Sequence, residues 1–232
     1  MGFLAEFIKD FTLNFIKDNR WKYLVNGLGV TLRVTLFAVL IGIVIGFIVA
    51  IVRATHDKTG KLKVLNFLAN IYLTVIRGTP VVVQLLIIYF VIFGSVRIDK
   101  VLVAIIAFGI NSGAYVAEIV RSGIMSIDPG QMEAGRSLGF NYSQTMWHII
   151  LPQAFKNVLP ALGNEFIVLL KETSVAGYIA LEDLTKGGDI IRSQTYSAFM
   201  PLLAVALIYL VIVMFLSFLL KKLERRLRNS ER

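Results

Sequence analysis

Residues 34–52 read VTLFAVLIGIVIGFIVAIV, and residues 198–220 read AFMPLLAVALIYLVIVMFLSFLL. Neither stretch carries a charge, and each reaches the roughly 20 apolar residues a helix needs to cross the hydrocarbon core of a bilayer. Working outward, 78–96 and 101–117 are also uncharged, and the short break Arg97, Ile98, Asp99, Lys100 between them reads as a turn joining two spans at one membrane face. A fifth candidate, 157–181, contains Glu165, Lys171 and Glu172, and hydropathy alone supports it least. The composition agrees with a lipid-solvated chain: 56% of the 232 residues are hydrophobic and 17% charged, more apolar surface than a water-soluble domain of this size hides. The expected fold class is therefore an all-α integral membrane protein of about five transmembrane helices. It forms one transmembrane domain over 1–232, with spans at about 28–52, 78–96, 101–120, 157–180 and 198–220.

Charge placement orients the chain. Arg53, Lys58, Lys61 and Lys63 follow the first span, and Arg121 and Arg136 follow the third. Lys221, Lys222, Arg225, Arg226 and Arg228 follow the fifth. Five crossings put all three groups on one side, which the positive-inside rule makes cytoplasmic, with the amino terminus outside and the carboxyl terminus inside. The net charge of +9 is thus an orientation signal and not a nucleic-acid footprint. Residues 1–22 mix acidic and basic side chains among aromatics, unlike a cleaved secretory signal, and are expected to stay as an amphipathic interfacial segment.

With no cysteine, thiolate metal sites and cysteine nucleophiles are excluded. His56 and His148 lie far apart without a carboxylate cluster, so no metal site is expected. No catalytic constellation is visible, and no GxxxxGK[ST] phosphate loop occurs, so no enzyme activity of the chain's own is expected.

Two departures from plain spans carry more information. The apolar run 64–94 is too long for one crossing and is interrupted by Arg77, Gly78, Thr79 and Pro80, which suggests a broken helix with an arginine at the break. An interfacial elbow with a snorkelling Arg77 is the other reading. The second departure is the loop 122–155, too long for a turn and too polar for a span. Within it stand Glu133, Ala134, Gly135, then Gly139 and Phe140, then Ile149, Leu151 and Pro152. Small residues at 134, 135 and 139 let another backbone approach closely.

This spacing resembles the EAA signature of the membrane subunits of ATP-binding-cassette importers, with Gly135 where a second Ala is usual. The segments IRGTPVVVQL (76–85), INSGAYVAEIVRSGI (110–124) and LPALGNEFIVLLKETSVAGYI (159–179) resemble the polar amino-acid permeases of that superfamily. The resemblance implies the type I importer permease fold, with the 122–155 loop forming a coupling helix that docks on a cytosolic ATPase. Its docking residues are Glu133, Ala134, Gly135, Gly139, Phe140, Leu151 and Pro152. It further implies two ATPase subunits that bind ATP and Mg, a second copy of the chain or a similar permease, and an extracytoplasmic solute-binding protein. The membrane is then the bacterial cytoplasmic membrane. No cofactor is expected in this chain.

Ionisable groups within spans are functional candidates by default. Glu165, beside Asn164, suits the cationic amino group of a substrate, unless it pairs with Arg77 or another charge of the chain to hold the bundle. Arg77 suits a carboxylate, and Thr79 and Gln84 add neutral hydrogen bonds. Asn111, Ser112, Tyr115 and Glu118 share one helical face and form a polar stripe. The implied cargo is a polar amino acid: basic ones such as arginine, histidine and lysine welcome Glu118 and Glu165, and glutamine remains open. The rival reading is an ion-coupled secondary carrier.

Overall fold

A computed structural model describes residues 2–229, with the side chains of Phe3, Lys58, Arg228 and Asn229 outside that description. Of the charges used for orientation, the side chains of Lys58 and Arg228 therefore lie outside the described residues. All regular structure among the described residues is helical.

Helix α1 (Phe3–Phe11) is amphipathic: Leu4, Phe7, Ile8 and Phe11, at helical spacing, are all exposed. The chain then turns through left-handed Asp18 and Asn19, and this elbow is clamped by buried Arg20. Its guanidinium donates to the Leu13 carbonyl at 2.6 Å, to Asp18 at 2.8 Å and to Gln194 at 3.2 Å. Helix α2 (Trp21–Thr59) follows, then α3 (Lys63–Gly78). The expected break is present: α3 stops at Gly78, Thr79 and Pro80 are extended, and α4 (Val81–Leu86) resumes, running into a wide π-turn at Ile87–Ile92.

Helix α5 (Lys100–Met125) is followed by two short helices, α6 (Pro129–Ser137) and α7 (Tyr142–Thr145). The remaining helices are α8 (Leu151–Glu172), α9 (Leu184–Thr195) and α10 (Phe199–Asn229). Among the described residues, three helices are long and apolar enough to cross a membrane, Trp21–Asp57, Lys100–Met125 and Phe199–Leu227; Lys63–Gly78 with Val81–Ile92, bent by 111° at the break, is a broken span or a re-entrant loop. Helix α8, with Glu165 and Lys171 inside it, falls outside that group, in keeping with its weak hydropathy.

The described residues divide into two compact units. The first comprises the described residues of Met1–Ala38, with Pro80–Phe108 and Ile167–Leu216. Its core joins Phe15, Leu24, Leu184, Ile191 and Val205. The second comprises Val39–Thr79, Gly109–Phe166 and the described residues of Ser217–Arg232. Ala50, Val116, Val120 and Val158 pack together there, and Leu73 packs on Ala114 and Ala117. Close contact between α2 and α5 in this unit depends on glycine. A Cβ on Gly42 would stand 2.8 Å from Ser112 Oγ, and one on Gly46 would stand 2.6 Å from Val116 Cβ.

In the first unit Asp183 caps α9, accepting from the Thr185 and Lys186 amides at 3.2 and 3.0 Å. Burial outweighs those donors and pushes its carboxyl up to about 6. The group is therefore more readily protonated folded than unfolded, so its contribution is fully present below about pH 4 and is lost as pH rises to about 6. Thermal unfolding of the full chain should show stability falling across that window. Asp183→Asn should remove this component, and an unchanged pH slope in that variant would contradict the assignment.

Candidate functional site

Glu165 lies in α8, is only 8% exposed, and accepts a hydrogen bond from the Ser112 hydroxyl of α5 at 2.7 Å. A carboxylate so far from water is costly unless donors or a cation serve it. Asn111, the neighbour of Ser112, is also buried, while Asn164 beside Glu165 is exposed. The Tyr72 hydroxyl of α3 donates to the Ile110 carbonyl at 2.6 Å, tying α3 to this part of α5.

Two turns further along α5, Glu118 gathers three arginines. Arg121 grips both carboxylate oxygens, its Nε donating to each at 3.2 Å. Arg77 and Arg53 stand 3.7 and 3.9 Å from Oε2, close enough for ion pairing and beyond hydrogen-bond length. The Arg77 guanidinium also lies 6.0 Å from the centre of the Tyr115 ring, an approach within cation–π range. Arg53 and Arg77 line a cavity of about 420 Å³ together with Asn70 and Thr74.

The second unit thus brings together Glu165, Ser112, Tyr115, Glu118 and Arg77. Arg77 has Glu118 as an ion partner. The Thr79 hydroxyl donates back to the Val75 carbonyl at 2.7 Å. Gln84 belongs to the other unit, where it is buried. Sequence reasoning missed Arg53, Asn70, Thr74 and Tyr72. Arg53 was read only as an orientation charge, and helical periodicity of α3 was the signal that aligns Asn70, Thr74 and Arg77.

The loop between α5 and α8 holds α6, α7 and a π-helical turn at Met146–Ile150. Asp128 caps α6 through the Gly130 amide at 2.7 Å, and Asn141 with Gln144 forms a reciprocal capping box at α7, 2.9 Å each way. Gly139 has φ +88, a left-handed conformation that ends α6, and a Cβ there would meet nothing within 4 Å. The missing side chain permits this turn. Gly135 packs within its own loop: a Cβ would stand 2.5 Å from Thr145 Cγ2 and 3.0 Å from Ile149 Cδ1. This explains Gly in place of Ala. Gly135→Ala, despite a helix-propensity gain of about 1 kcal/mol, should lose about 1–2 kcal/mol net through overpacking. A lowered Tm checks this, and a raised one contradicts it. Glu133, Ala134, Leu138, Phe140 and Pro152 remain exposed, Leu151 is half-buried, and Leu138 shows 76% of its surface.

The comparisons with known proteins agree with these features. Residues 42–229 match the family described as "Binding-protein-dependent transport system inner membrane component", and the chain belongs to that family of membrane permeases. Over 211 residues it is 37% identical to the arginine transport system permease protein ArtQ of Bacillus subtilis (strain 168), covering 90% of this chain and 94% of that one. It is 42% identical over 168 residues to the glutamine transport system permease protein GlnP of Escherichia coli (strain K12), covering 71% and 77%. A solved chain from a crystal structure of an amino acid ABC transporter with histidines superposes with a TM-score of 0.81 at 42% identity, covering 97% of this chain and 99% of that one. The inward-facing MetNI methionine ABC transporter matches with a TM-score of 0.75 at 21% identity, covering 89% and 97%, which speaks for the fold alone.

Proposed function

We propose that this chain is the membrane-spanning permease subunit of an ATP-driven importer of polar amino acids, either basic ones (arginine, histidine, lysine) or glutamine. The observation that carries the reading is the buried Glu165 held by Ser112, in a chain whose relatives bear the names of arginine and glutamine permeases. Family membership favours this reading over an ion-coupled secondary carrier.

The chain supplies the path and not the energy. Two cytosolic ATPase subunits bind ATP and Mg and dock on the exposed face of α6, around Glu133, Ala134 and Phe140, with Leu151 and Pro152 at the head of α8. A second copy or a similar permease completes the membrane part, and an extracytoplasmic solute-binding protein delivers cargo. Residues 1–22 lie at the outer interface, five crossings follow with α8 among them, and the carboxyl terminus is cytoplasmic. Glu165, Asn164 and Asn111 face the amino group or cationic end of the substrate. Arg77, Tyr115 and Glu118 meet its other end, with Thr79 contributing a neutral hydrogen bond.

The test is uptake of radiolabelled arginine, histidine, lysine and glutamine into vesicles holding the permease with its ATPase and binding protein. Accumulation of at least one, dependent on ATP and on the ATPase, is expected. Accumulation of none, with other solutes carried, refutes the amino-acid reading.

A further inference from the structure

We infer that a groove between α2, α5, α7 and α8 binds one acyl chain of an anionic phospholipid, with the lipid headgroup at Lys61 and Lys63. The inference rests on α2 being a membrane span, as the family and the helix's own sequence give it, and on no statement about cargo.

The first observation is shape. Away from Glu165 and the arginine cluster, the second unit holds a cavity of about 630 Å³ whose α2 wall runs from Phe47 to Thr59. That wall covers about 18 Å of helix at 1.5 Å per residue. One leaflet's share of the hydrocarbon core is about 15 Å. Spread over the wall, the volume gives a mean cross-section of about 35 Å². A helix with its side chains is about 10–12 Å across and needs at least about twice that area. Carbon atoms in contact stand about 3.5–4.0 Å apart, so an extended hydrocarbon chain, about 4–5 Å across, enters with room to bend. The groove is too thin for a helix of a second copy and suits a lipid tail.

The second observation is polarity along the groove. At one end Ala50, Val120 and Val158 pack together with Phe47 against them, so hydrocarbon closes that end. At the other end the lining carries the hydroxyls of Thr55, Thr59, Tyr142 and Ser143. This is the polarity of a tail and its ester region. Trp147 and Phe155, 71% and 56% exposed, also line the groove, and tryptophan favours the membrane–water interface. Leu40, Val44, Ile48 and Ile51 form an exposed apolar stripe on α2 at helical spacing. Ile51 belongs to both the stripe and the groove, so the groove opens onto the face that α2 turns to lipid.

The third observation is charge. The Lys61 amide donates to the Thr59 hydroxyl oxygen at 3.1 Å, which folds the segment carrying Lys61 onto the hydroxyl end of the groove. Lys61 and Lys63 are exposed there, and Lys156 follows Phe155 in sequence. Across 53–63 and 142–158 the one acidic residue is Asp57, which stands 3.6 Å from His56. Basic residues at the membrane surface attract anionic headgroups, so a phosphatidylglycerol-type lipid is held at both its ends and a zwitterionic one chiefly by its tail.

The test is tryptophan quenching. The chain has two tryptophans, Trp21 and Trp147, so Trp21→Phe leaves one reporter on the groove. The full chain is placed in phosphatidylcholine nanodiscs with rising fractions of phosphatidylglycerol or phosphatidylcholine brominated on the acyl chains, which quench tryptophan on contact. Half-maximal quenching of Trp147 should come at an at least threefold lower fraction of phosphatidylglycerol. Ala54→Phe, which fills the exposed wall of the groove, should at least halve that quenching. Lys61→Gln combined with Lys63→Gln should bring phosphatidylglycerol to the phosphatidylcholine level, and far-UV circular dichroism checks that each variant keeps its helices. Equal quenching by the two lipids, or quenching that Ala54→Phe leaves unchanged, marks ordinary surrounding lipid and overturns the site. Quenching by neither lipid means that protein covers the groove, which also overturns it. A preference that survives the lysine changes overturns the headgroup assignment. None of these outcomes bears on the amino-acid reading, which the uptake assay tests separately.

Discussion

Glu165→Gln is expected to cut amino-acid uptake by about ten- to a hundredfold while the protein remains folded. The substitution keeps shape and volume and still lets the Ser112 hydroxyl donate, but removes the charge. A hydrogen bond to a charged group contributes about 1.5–3 kcal/mol, against about 1 kcal/mol for a neutral one. Because the site is buried, this difference acts with little screening from water. The measurement is initial uptake in proteoliposomes at subsaturating substrate, paired with Tm of the same preparation. Uptake within twofold of wild type would remove Glu165 from the substrate path and leave it as an internal prop of α5 and α8.

Leu138→Glu is the second large effect. Leu138 ends α6, exposes 76% of its surface and stands beside the turn at Gly139. An exposed apolar side chain next to a small-residue helix is what a docking partner covers, and a buried unpaired charge at such an interface costs several kcal/mol. ATPase association should fall at least a hundredfold with the Tm of the permease alone unchanged. Gly139→Glu is a poorer probe, because φ +88 strains any side chain and so mixes folding with docking. Pull-down of the ATPase by wild type and variant checks this, and equal recovery would move the docking surface elsewhere.

How much of this was legible in the sequence varies with the physics. The long helices were, because an uncharged stretch such as 34–52 admits few states in water, and the break at Gly78 and Pro80 was, because proline and glycine act locally. The polar face of α5 was legible as periodicity, but its partners were not. Ser112 meets Glu165 only through the packing of α5 on α8, and Glu118 meets Arg53 only because α2 and α5 approach at Gly42 and Gly46. Arg53 illustrates a real ambiguity, since an arginine just past a span serves orientation and chemistry alike. Gly135 and Gly139 were recognised as small. Whether smallness served a neighbour or a left-handed turn depended on φ and on Thr145, ten residues from Gly135 in sequence.

The most direct test of the central claim is uptake by proteoliposomes containing the permease, its ATPase and its binding protein, with ATP supplied on the ATPase side and ionophores collapsing every ion gradient. The account predicts that amino-acid accumulation persists with ionophores and stops when ATP is replaced by a non-hydrolysable analogue. Accumulation that ignores ATP and vanishes with the ion gradient would contradict it.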